Sequence, residues 1–135
     1  VDADILNTLV TDAIWRAEEL EALGIPASSA WKEVSAIEEK LAKAFPVSDG
    51  QGRIARRGAV SAALKSGDSD RAQALADAYI AEEAAPESLK KGLQEILEEA
   101  DQAMKQRFQH AAPHVREARD LARRFREAGA FGLAA

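Results

Sequence analysis

Alanine occupies 30 of the 135 positions, almost as many as all larger apolar residues together, which number 33. It has the highest intrinsic helix propensity, and its single methyl lets helices approach closely. No run of β-branched or aromatic residues is long enough to suggest a sheet. The chain therefore reads as all-α, an antiparallel bundle of five to six helices around a thin core. Its length suits a single domain, expected over residues 1–128, with 129–135 as a flexible tail.

Charge narrows the functional classes. The net charge of −5 argues against nucleic acid as the default partner, because phosphate binding needs a basic surface. The charge falls in blocks: −6 over residues 1–50, +3 over 51–75, −5 over 76–105 and +3 over 106–135. Such alternation suits antiparallel helices facing neighbours of opposite sign. The absence of cysteine excludes disulfides, thiolate metal sites and a cysteine nucleophile. It leaves the compartment open, with a cytoplasmic one the default expectation. No apolar run approaches ~20 residues, so no membrane span is expected. A start at Val1 rather than Met reads as a processed protein or an excised domain.

Apolar spacing gives the helices. Leu6, Leu9, Val10, Ala13, Ala17 and Leu20 form one stripe of a first helix over residues 2–23, stopped by Gly24. Trp15 lies nearly opposite that stripe. Ser28 or Ser29 is expected to cap a second helix carrying Trp31, Val34, Ile37, Leu41 and Phe45, ended by Pro46. Residues 46–52 read as a loop. Shorter helices are predicted over 53–66 and 69–84. A long one over 86–110 turns Leu89, Leu93, Ile96, Leu97, Ala100, Met104 and Phe108 inward. Pro113 is expected to force a break before a last helix over 113–128, carrying Val115, Ala118, Leu121, Ala122 and Phe125.

Chemistry-bearing patterns are sparse. His110 and His114 have the i, i+4 spacing of a two-histidine metal site, with Glu117 one turn on. They form the weaker alternative to a chain without a metal or cofactor, since Arg107 would repel a cation. The usual lysine and glycine of histidine phosphotransfer domains do not follow His110. Asp49-Gly50-Gln51-Gly52 resembles the middle of a calcium loop, but Val47 and Gly58 stand where its first and last carboxylates belong. Residues 67–72 resemble the inter-helix turn of a tetratricopeptide repeat, without the large residues that motif needs before it and in a single copy. The eight serines and two threonines fall mostly where helices begin or end, so nothing marks a catalytic nucleophile.

Two basic groups stand out. Arg53, Arg56 and Arg57 follow the glycine loop, and Arg116, Arg119, Arg123 and Arg126 form one helical stripe. The acidic segment with Glu95, Glu98, Glu99 and Asp101 offers the stripe an internal counterpart. The expected function is non-catalytic protein–protein interaction or self-association. Trp15, Trp31 and the four stripe arginines are the expected contacts, because Trp and Arg dominate interface energetics. The alternatives are a sensory bundle holding a ligand or metal at His110 and His114, and a nucleic-acid accessory protein using the arginine stripe.

Overall fold

Three aspartates start three of the helices. Asp2 accepts from the Asp4 amide at 3.1 Å, Asp49 from Gln51 at 2.8 Å and Asp68 from Arg71 at 3.0 Å. Each satisfies an amide that has no partner inside its helix. The computed structural model describes the backbone of residues 2–134 and the side chains of residues 2–109 and 117–127. Among these it holds five helices and no strand: α1 Ala3–Ala22, α2 Ser28–Ala44, α3 Gly50–Lys65, α4 Ser69–Ile80 and α5 Glu87–Ala134.

Glycines close two of them. Gly24 and Gly67 have φ of 70° and 84°, a left-handed conformation that suits glycine. After α1, Ile25 N donates to Leu20 O (2.9 Å) and Gly24 N to Glu21 O (3.0 Å). After α3, Asp68 N donates to Ala63 O and Gly67 N to Leu64 O, both at 3.0 Å. Both are Schellman closures. Asp68 therefore ends α3 with its amide and begins α4 with its carboxylate.

The boundaries differ from the sequence expectation in four places. Helix α2 begins at Ser28 itself, with Ala27 before it and no side-chain cap, so neither serine caps it. Helix α3 begins three residues early, because Asp49 caps it and Gly50 and Gly52 form its first turn. A Cβ at Gly52 would lie 2.9 Å from the Phe45 carbonyl oxygen and nearer still to that of Pro46. Glycine thus lets this turn sit directly on the end of α2. Helix α4 stops at Ile80. Helix α5 continues through Pro113 to Ala134, where a break at Pro113 was expected. Proline removes a single donor, and one missing i→i−4 bond does not end a helix strong on both sides.

The chain divides into two units, Val1–Glu98 and Glu99–Ala135. In the first, α1, α2 and α3 run alternately up and down. Arg16 of α1 reaches Glu33 early in α2, and Asn7 reaches Gln51 at the start of α3. Lys65 at the end of α3 lies over Trp31 early in α2. The core holds Leu6 and Val10 of α1, Trp31, Val34 and Leu41 of α2, Val60 of α3, Leu75 of α4, and Leu89 and Leu93 of α5. Between them lie fully covered alanines: Ala17, Ala59, Ala63, Ala72 and Ala76. Leu9, expected inside, is exposed. The second unit is helix throughout its described backbone.

Candidate interaction surface

In the second unit α5 shows its apolar stripe to solvent. At 100° per residue, Met104, Phe108, Ala118, Leu121, Ala122 and Phe125 fall within about 140° of arc. Met104 is 59 % exposed, Phe108 73 %, Leu121 56 % and Phe125 72 %. Met104, Phe108, Leu121 and Phe125 were expected to face a core, and among the described residues none covers them. Large apolar side chains scattered singly on a surface are ordinary; four on one helical face are not.

Arg119, Arg123 and Arg126 are exposed and occupy an adjoining arc of about 60° on the same helix. Arg126 Nε reaches only its own helix, at 3.5 Å from Ala122 O, and Arg123 Nη2 lies 3.9 Å from Asp120 Oδ1. Among the described residues, the internal acidic counterpart expected for the stripe does not form. Asp101 is on the same unbroken helix, about 27 Å from Arg119 at 1.5 Å per residue, and pairs with Lys105 at 3.1 Å. Glu117 is exposed. The side chains of His110, His114 and Arg116 lie outside the described residues. Among the described residues, no group of three His, Asp or Glu side chains is placed to hold a metal.

The two tryptophans part company. Trp15 is 72 % exposed on the outer face of α1. Trp31 is buried, donates its indole N–H to Glu21 Oε1, and carries Lys65 Nζ 4.3 Å from its ring centre. It is a core residue and not part of an exposed surface, because its stripe is the one α2 turns toward α1 and α3.

The other arginine cluster serves the fold. Arg56 is 4 % exposed. Its Nε and Nη2 bind both Glu82 oxygens, at 2.6 and 2.8 Å, and its Nη1 donates to Phe45 O at 3.1 Å and Gly52 O at 2.8 Å. Its guanidinium also lies 5.5 Å from the Tyr79 ring centre. Arg53 donates to the Val47 and Ser48 carbonyls. These arginines fasten the turn after α2, the start of α3 and the end of α4 together.

One buried carboxylate escaped the sequence reading. Glu38 is 8 % exposed and makes no hydrogen bond or ion pair among the described residues, and burial pushes its carboxyl up to about 7. It lines a cavity of about 200 Å³ with Asn7, Val10, Leu41, Phe45, Gln51, Ile54 and Ala55. The Cβ that Gly58 lacks would stand 2.7 Å from the Glu38 carboxyl carbon. The signal was its spacing: Trp31, Val34, Glu38, Leu41 and Phe45 run at 3, 4, 3 and 4, and a carboxylate falls inside an apolar stripe. Tyr79 has a buried hydroxyl without a partner among the described residues, and its pKa is pushed up to about 12 by burial and, next, by Glu39. No family model, curated protein or solved structure matches this chain.

Proposed function

We propose that the chain is a non-catalytic assembly protein. The first unit is its folded body, and the second-unit stretch of α5 is the surface by which it binds protein. The observation that carries this reading is the exposure of Met104, Phe108, Leu121 and Phe125 along one face of one helix. A lone helix gains little from propensity in water; most helical stability comes from packing an amphipathic face. This face has none of its own to pack against among the described residues, so its natural complement is another polypeptide. The exposed Trp15 offers a second, smaller contact on α1.

Amide hydrogen exchange on the full chain at low micromolar concentration tests the reading. Amides of residues 104–125 are expected to exchange far faster than those of α3 when the chain is monomeric. They should slow once a protein partner covers them. A monomer in which residues 104–125 are as protected as α3 would show the stripe closed within the chain, and the proposal would fail.

A further inference from the structure

We propose that the cavity between α1, α2 and α3 is a binding site for a primary ammonium group on a short alkyl chain, with the Glu38 carboxylate as its counter-ion. The site lies wholly in the first unit, so it goes beyond the assembly reading and does not rest on it.

Glu38 is a buried acid without a partner: 8 % exposed, it makes no hydrogen bond or ion pair among the described residues. Buried polar groups are nearly always hydrogen-bonded, and an unpaired buried carboxylate is among the costliest exceptions. The buried Arg56 of the same unit shows the usual arrangement, with four hydrogen bonds, two of them to Glu82. Glu38 is not sealed away either. Among the described residues the side-chain polar atom that is both sealed and unpartnered is Tyr79 Oη, so the Glu38 oxygens keep an opening onto the cavity that the residue lines. The fold also makes room for this carboxyl. Gly58 stands inside α3, where alanine would favour the helix. A Cβ there would lie 2.7 Å from both the carboxyl carbon and Oε1 of Glu38.

The other walls define the ligand. Val10, Leu41, Phe45, Ile54 and Ala55 are apolar. Asn7 and Gln51, 3.4 Å apart at the exposed edge, are neutral amides whose oxygens accept hydrogen bonds from a cation. The cavity thus offers one negative charge and an apolar surface, which an alkylammonium matches with one positive charge and a hydrocarbon body. About 200 Å³ leaves room for about six non-hydrogen atoms at about 30 Å³ each. A calcium or magnesium ion would need several oxygen ligands, and a quaternary ammonium an aromatic cage; here one carboxylate and one aromatic ring, Phe45, line the space. Burial pushes the carboxyl up to about 7, as expected where no charge answers it. The same ammonium chemistry is carried by a small free amine and by a lysine side chain.

The test is a titration of the full isotope-labelled chain with n-butylamine in phosphate buffer near pH 8.5, followed by amide NMR. The Ala55 and Gly58 backbone amides and the Asn7 and Gln51 side-chain amides are expected to shift to saturation, half-complete at about 10 mM or below. n-Butanol and tetramethylammonium should bind at least about tenfold more weakly. Glu38→Gln keeps the side chain's shape, and its own spectrum reports that it is folded; it should lose about tenfold or more in affinity. Below about pH 7 the wild-type affinity should fall about tenfold per pH unit, because the carboxylate takes up a proton while the amine stays charged. No other titratable side chain lines the cavity from α1, α2 or α3, so the affinity of Glu38→Gln should stay flat over the same range. Nα-acetyl-lysine methylamide separates the two sources. Comparable binding would identify a lysine side chain, and binding of butylamine alone a free amine; either result supports the site. No saturable shift from butylamine or the lysine amide at about 50 mM would overturn it. So would equal binding of butanol, displacement of butylamine by an equal concentration of potassium, or unchanged affinity in Glu38→Gln.

Discussion

Replacing Glu38 by glutamine should stabilise the protein, and only above a certain pH. The carboxyl lies on the core stripe of α2, 8 % exposed, with no hydrogen bond or ion pair among the described residues. Burial raises its pKa from 4.5 to about 7. A folded-state value above the unfolded one means that the native protein holds this proton more tightly. The group's favourable contribution is therefore complete below about pH 4.5 and is lost as pH rises through about 7. Each pH unit in that window is worth about 1.4 kcal/mol, so the ionised carboxylate costs the fold about 3 kcal/mol in alkaline solution. Glutamine keeps the shape and never ionises. Glu38→Gln should match the wild type within about 1 kcal/mol near pH 4 and exceed it by about 3 kcal/mol near pH 8.5. Urea unfolding followed by tryptophan fluorescence reads this, since buried Trp31 reports the core beside it. An equal difference at both pH values, or a less stable variant at the higher one, would refute the reasoning. Either result would mean that the carboxylate finds water or a cation in solution.

Three further substitutions probe how the first unit is fastened. Arg56→Ala leaves Glu82 and the Phe45 and Gly52 carbonyls without their donors. A loss of about 3–5 kcal/mol in urea unfolding is expected, as for a buried ion pair broken on one side. Gly52→Ala ordinarily improves a helix, but here its methyl meets two backbone carbonyl oxygens. It should cost about 2 kcal/mol or more, whereas Gly92→Ala, which meets only the Arg57 side chain at 3.6 Å and beyond, should gain up to about 1 kcal/mol in thermal unfolding.

The stripes of the first unit were legible because each faces a partner. Leu6, Val10, Ala13 and Ala17 recur at helical spacing and are buried. Gly24 and Gly67 marked helix ends through a conformation that other residues rarely adopt. Three things resisted reading. The start of α3 hid in a segment rich in glycine and polar residues, because the end of α2 lies against Gly52 and Asp49 caps the turn. Pro113 looked decisive, yet it forfeits one hydrogen bond in a helix of 48 residues. The inward face assigned to Met104, Phe108, Leu121 and Phe125 followed correctly from periodicity. Periodicity shows that an apolar face exists and does not say which chain covers it. The candidate contacts divided by the same logic: Trp31 lay on a stripe and became core, while Trp15 lay off its stripe and stayed outside.

The alanines at the centre of the first unit bear on how such a sequence can evolve. Ala59, Ala63, Ala72 and Ala76 are wholly enclosed, and alanine has no rotamer to surrender when the helices close. Order therefore comes cheaply at these positions, but with no slack. A mutation that enlarges any one of them overpacks the core and must displace its neighbours. Descent from this chain should leave the seam between α3 and α4 nearly fixed in residue size, trading alanine for glycine or serine, while the outward faces of the same helices drift freely.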